Sequence, residues 1–362
     1  MNQSHIFSSL LFAIGSAIAH QAAAEIFPAG YPADYASMVA KAKQEGAVSI
    51  YTSTDQTQSR ELLEAFKASY PGIAIEYNDI GTTGSFNRAV SEAAAKQVGA
   101  DIIWTSAMDL QLAMVEKGLT DSYKSPELPH LPSWAVYKDS AFGTTIEPAA
   151  IIYNKSLFTG QVPKTRAELI KLLTERKDLE GKIGSFDPEK SGTGFLYFSF
   201  DSRNTKDFWN LARAFGTIHG KVYGSSGALK EKVLSGEHLL AFDVIGSYAL
   251  DWAKKNPNLG VAFTTDYTSA FSRVAVITKG AKHPNAARLF LDFLLSEKGQ
   301  KTLASRDIPS IRTDIDGLNL ISLNKLVGGN LKPIPLDKSL IEANEPKRRV
   351  EFFQEWKKAL NK

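Results

Sequence analysis

Short apolar runs that break into hydroxyl or glycine residues just ahead of a helical pattern recur along this chain, and that recurrence restricts the folds open to it. The clearest is VSIYTSTD, residues 48–55. Val48, Ile50 and Tyr51 read as a mostly buried strand, and Gln58, three residues after Asp55, predicts a capping box where the next helix begins. Leu62, Leu63, Phe66 and Tyr70 then share a helical face, Pro71 and Gly72 end it, and Ile73, Ile75 and Tyr77 alternate as a strand. The loop DIGTTGSFN (79–87) leads into another helix, and ADIIWTS ends a further strand at Thr105 and Ser106. Successive strands ending in such loops predict an α/β protein with a doubly wound, mostly parallel sheet. At the carboxyl edge of that sheet the first amides of each helix lack intrahelical partners, and the helix dipole favours negative charge there. Any one of these hydroxyls serves equally well as a cap; the repetition is what favours ligand contact.

The pattern resumes after an extended crossing, FGTTIEPAAIIYN (142–154), which Glu147 and Pro148 interrupt. Thr165 and Glu168 form a second predicted capping box. The loop DPEKSGTGF places Ser191, Gly192, Thr193 and Gly194 ahead of an aromatic helix, the best anion-binding candidate of this half. Ser226 starts another helix, and an apolar strand over 238–244 runs through Asp243 to Gly246 and Ser247, where a helix begins. Residues 272–278, with Arg273, read as a return crossing. A charged amphipathic helix over 345–360 presents Val350, Phe353 and Trp356 at a spacing suited to packing on the first half.

The leading residues read separately. An apolar stretch over 6–19 ends in HQAAAE, where Ala22 and Ala24 satisfy the small-residue rule, so residues 1–24 are expected to be a signal peptide and Glu25 the mature start. The chain has no cysteine, which excludes disulfides, thiolate metal sites and a cysteine lipid anchor. Export without an anchor fits a Gram-negative periplasm. A formal charge of +3 over 362 residues gives no reason to expect nucleic acid.

Catalytic signatures are missing. GTTGS matches neither phosphate-loop fingerprint, HExxH and GxSxG are absent, and His130, His219, His238 and His283 are scattered. Glu147 and Asp243 could pair as general acid and base, but no nucleophile accompanies them. Hydroxyls and main-chain donors without a nucleophile read as recognition without reaction, with no cofactor and no metal.

The stretch KGAKHPNAARLFLDFLLSEKGQ (279–300), together with AVSIYTSTD, SGTGF, FDVIGSY and RRVEFFQEWKKAL, resembles periplasmic solute-binding proteins of ABC importers, in the extracellular family 1 group that includes ferric-iron, thiamine and sugar-phosphate binders. The resemblance implies two lobes joined by two or three hinge strands, residues 25–147 with 274–362 and residues 148–273, the last helices returning to the first lobe. It implies a monomer that delivers a small solute to an inner-membrane permease. Iron binders of the group use adjacent tyrosines, whereas here Tyr248 stands alone in AFDVIGSYAL. That places the chain nearer the sugar-phosphate branch, with a ferric-iron binder and an exported phosphate-ester hydrolase as the rival readings. By this resemblance Ser53, Thr54, Thr83, Ser85, Ser191 and Thr193 hold an anionic group. Asp55, Glu147 and Asp243 accept from hydroxyls or an amine. Arg273 pairs with the anion or closes the hinge, and Thr105, Ser106 and Ser247 complete the expected ligand set.

Overall fold

In the computed structural model, which describes residues 27, 28 and 30–361, the run AVSIYT is the strand Ala47–Thr52, with Val48 and Ile50 fully buried. The expected signal peptide lies outside the described residues. Ala47–Thr52 pairs in parallel with Ala74–Asp79 on one side and Ile102–Thr105 on the other. The helices Gln56–Ser69 and Thr82–Ala94 make the connections, so all three strands point their carboxyl ends the same way. Beyond Ile102–Thr105 the sheet continues through antiparallel strands, Val274–Thr278, Ala141–Gly143 and Val136–Tyr137.

A second sheet repeats the plan. Leu240–Ile245, Ile183–Phe186 and Lys221–Tyr223 are parallel neighbours, and Glu147–Asn154 runs antiparallel beside Leu240–Ile245. Thr268–Phe271 and Leu331–Pro333 extend that edge. The chain passes between the sheets at 143–147 and again at 271–274, and these crossings lie side by side, Phe271 opposite Glu147 and Val274 opposite Gly143. A third passage leaves the first sheet's helices after Glu297–Ala304 and reaches Leu331–Pro333, touching the first crossing where Ile146 N–H donates to the Pro309 carbonyl at 3.0 Å. These sheets with their helices are called the first and second lobes below.

The helix Pro284–Leu295 buries Ala287, Phe290, Leu291 and Leu294 in the first lobe, where Phe290 and Phe293 meet Phe66 edge-on. The final helix, Pro346–Ala359, departs from expectation. Trp356 lies tilted 4.9 Å from Phe198 and Phe353 sits 5.5 Å from Phe195, both on the second lobe's aromatic helix, while Val350 is exposed. Gly216 lets the helix close in, since a Cβ there would stand 2.2 Å from the Ala359 carbonyl oxygen. Helical spacing gives a face, not the surface it meets; that surface here is the aromatic cluster of Phe195, Phe198 and Phe208.

One buried carboxyl tunes the first lobe's stability. Asp292 is fully buried and accepts from Tyr35 Oη (2.9 Å), Tyr123 Oη (2.7 Å) and Ser125 Oγ (2.6 Å). Burial pushes its pKa up to about 7, against the three donors. A carboxyl whose folded pKa lies above its unfolded value near 3.9 is bound to its proton more tightly in the native state, so its contribution favours folding at low pH and is lost as pH rises through 7. Between pH 5.5 and 7.5 this is worth about 2 kcal/mol. Urea unfolding of Asp292→Asn is expected to show a flatter stability–pH profile over that interval than wild type; parallel profiles would contradict it.

Candidate functional site

The carboxyl ends of both parallel trios face one cleft of about 330 Å³. From the first lobe it receives Ser53, Asp55, Gly81, Thr82 and Ser106; from the second, Lys190, Ser191, Gly192, Thr193 and the run Gly224–Gly227, with Ile245 and Tyr248; Arg273 lies at its back. The helices Gly192–Asn204 and Ser226–Leu234 aim their first turns into it. Ser191 Oγ accepts from Gly194 N–H at 3.0 Å and Ser225 Oγ from Ala228 N–H at 3.2 Å, so the caps take the third amides and leave the earlier ones at the cleft. On the opposite wall Gly81, at φ 72°, starts the helix Thr82–Ala94 in a backbone region that glycine adopts without strain. Such first turns attract anions through aligned N–H groups and the helix dipole together.

The walls nearly touch. Ser106 Oγ stands 3.2 Å from Thr193 Oγ1 and 3.4 Å from Ser53 Oγ, and a Cβ on Gly192 would come within 3.3 Å of Thr82 Oγ1. Behind them, Arg273 joins the crossings. Its Nε and Nη2 donate to Glu147 Oε1 and Oε2 at 2.6 and 3.0 Å, and its Nη1 donates to Thr54 Oγ1 at 2.6 Å. Glu147 also accepts from Thr145 Oγ1 at 2.9 Å and from Ser247 Oγ. Burial opposes the Arg273 charge, but Glu147 and Tyr248 hold its pKa well above the usual arginine value.

The expected residues therefore divide. Ser53, Asp55, Ser106, Ser191, Thr193 and Arg273 line the cleft. Thr54, Glu147 and Ser247 do not; they are fully buried partners in the Arg273 network, because a buried guanidinium needs acceptors on every side. Thr105 is buried, accepting from Gln111 Nε2 at 2.6 Å, and Ser85 donates to the Gly81 carbonyl at 2.7 Å, so both serve their own turns. Thr83 is exposed, one helical step past Thr82, which takes the place at the cleft. Asp243 lies away from the cleft at an irregularity between Ala241 and Val244, with φ 60°. Its carboxyl is pushed up to about 7, by burial first and then by the Asp201 charge, against Arg166. The Asp55–Gln58 capping box does not form: Gln58 is buried and donates to Asp251 Oδ2 at 3.3 Å across the lobes, and Asp55 makes no side-chain cap bond.

The cleft also holds Thr82, Lys190, Ser225, Ser226, Gly227 and Tyr248, none of them expected as ligands except Tyr248, weighed only for iron. GSSG at 224–227 repeats the glycine-and-serine helix start of SGTG at 191–194, so the sequence carried that signal. Lys190 carried none, because a lysine beside a loop is an ordinary surface residue.

Residues 61–316 match the family model described as bacterial extracellular solute-binding protein. The chain belongs to that family. No curated protein matches this solute-binding protein in sequence. Among solved structures it is similar to the substrate binding protein of the ABC transporter from Agrobacterium tumefaciens, with 32% identity, a TM-score of 0.81, and coverage of 87% of this chain and 94% of that one. Iron-bound HitA from Pseudomonas aeruginosa shares 17% identity at a TM-score of 0.70, covering 86% of this chain and 99% of that one. The periplasmic binding protein AfuA from Actinobacillus pleuropneumoniae, with fructose-6-phosphate bound, shares 20% at 0.67, covering 87% and 99%. The solute-binding protein thus has the two-lobed α/β fold of periplasmic binding proteins. No helix among its described residues is long and apolar enough to cross a membrane.

Proposed function

We propose that this solute-binding protein is the substrate-binding component of an ABC importer, a periplasmic monomer that captures a small anionic organic solute bearing a phosphate, such as a sugar phosphate, and passes it to a membrane permease. The observation that carries the reading is the convergence of helix first turns from both lobes on one cleft, with Gly192, Thr193, Ser226 and Gly227 on the second-lobe wall and Gly81 and Thr82 on the first. Amides and hydroxyls at that density suit the three terminal oxygens of a phosphate ester. The likeness to AfuA with fructose-6-phosphate agrees with this choice.

The likeness to HitA favours ferric iron instead. The donor set favours the organic anion: the cleft offers one phenol, Tyr248, and one carboxylate, Asp55, and among the described residues no cluster of three or more His, Asp or Glu could hold a metal ion. A hydrolase would need a nucleophile with a base in reach, and the cleft hydroxyls have neither histidine nor a free carboxylate bonded to them. A thermal-shift panel of phosphate esters, sulfate esters, carboxylates and ferric citrate tests the assignment. A phosphate ester is expected to raise the melting temperature in a concentration-dependent way, with its ³¹P spectrum unchanged after long incubation. Stabilisation by ferric citrate alone, or phosphate release, would overturn it.

A further inference from the structure

Charge in the cleft is polarised. The second-lobe wall offers donors: the first turns at Gly192 and Ser226, the hydroxyls, and the ammonium of Lys190, which reaches no closer than 3.6 Å to Asp187 and is 77% exposed. The first-lobe wall carries Asp55, whose carboxylate caps no amide of its own helix and joins no salt bridge among the described residues. Asp79, at the end of the next strand, likewise joins none, and Asp55 lies close enough to raise its pKa, after burial and against a Gly81 amide and Arg273. Asp55 also acts on Tyr248 across the cleft, adding to the rise that burial causes. Arg273, the buried cation in the cleft lining, is already taken by Glu147 and Thr54. A solute that is only anionic would bring like charge up to Asp55, which no side-chain cation among the described residues pairs within salt-bridge distance.

From this polarity we infer that the solute is dipolar, an amino-bearing phosphate ester whose phosphate seats on the second-lobe first turns and whose ammonium group donates to Asp55. The inference rests on the phosphate-ester reading and narrows it. Among its members are aminoalkyl and amino-sugar phosphates. An ammonium to carboxylate bond at Asp55 is charge-assisted, which favours the amine over a methyl group of similar size.

Titration calorimetry with O-phosphoethanolamine and ethyl phosphate, which differ at the ammonium end, tests it on wild type and on Asp55→Asn. Asparagine keeps the N-cap preference of the site, so the variant is expected to fold. Wild type is expected to bind the amino ester at least tenfold more tightly, and Asp55→Asn to bring the two affinities within threefold. Equal affinities in wild type, or a tenfold preference that survives in Asp55→Asn, would overturn the inference while leaving the phosphate-ester reading standing. If neither compound binds, and no other phosphate ester does, both fall together.

Discussion

Arg273→Met is expected to lower the unfolding free energy by about 3–5 kcal/mol, the effect of stranding a buried charge. Glu147 is 0% exposed and Arg273 1%, so when the guanidinium is removed the carboxylate keeps only the hydroxyls of Thr145 and Ser247. Protonating it would relieve the charge but forfeit the bidentate geometry that pins Phe271 beside Glu147 and Val274 beside Gly143. The loss is larger than a surface ion pair could cause, because Lys301–Glu297 and its like are exposed and screened by solvent. Removing both partners in Arg273→Met with Glu147→Leu is expected to recover most of the stability, since neither charge is then stranded. Urea denaturation reads both, and a single variant within 1 kcal/mol of wild type at an unchanged slope would show that the pair is not buried as described. The pair also reaches the site: Thr54, held by Arg273, immediately precedes Asp55.

Gly192→Asp is expected to abolish measurable solute binding, a loss of at least 100-fold or about 2.7 kcal/mol, with little effect on folding. Residue 192 opens the helix Gly192–Asn204, and an acidic side chain in a first turn is locally favourable. The same carboxylate would fill the amide cradle proposed for the solute's anion. A Cβ at that position already stands 3.3 Å from Thr82 Oγ1, so the substitution also keeps the walls from meeting. Retained affinity in a folded Gly192→Asp protein would place the anion elsewhere. Gly192→Ala separates the two effects, adding bulk without charge, and is expected to weaken binding less.

Much of this architecture is legible in the residues. The alternation of buried runs with Gly/Ser-rich helix starts places the parallel trios, and it locates the loops at 53–55, 106 and 191–193 that the fold brings together. What the sequence hides is which way a side chain turns within such a loop. Ser53 and Thr54 are adjacent and chemically alike, yet one faces the cleft and the other turns back to Arg273, a partner 219 residues away. Thr82 and Thr83 differ by one helical step of about 100°, enough to exchange cleft for solvent. Glu147 and Ser247 owe their burial to an arginine that only the folded chain brings to them. The terminal helix illustrates the same limit at larger scale, its apolar face being evident and its docking surface set by aromatic side chains 158 residues earlier in the chain.

Main-chain donors of both lobes are proposed to meet on one solute. Amide ¹⁵N–¹H spectra of the labelled protein, titrated with a binding phosphate ester, test it most directly. Shifts that saturate together at Gly192, Thr193, Ser226 and Gly227 on one wall and at Gly81 and Thr82 on the other are the expected result. Shifts confined to one lobe, or centred away from these amides, would contradict it.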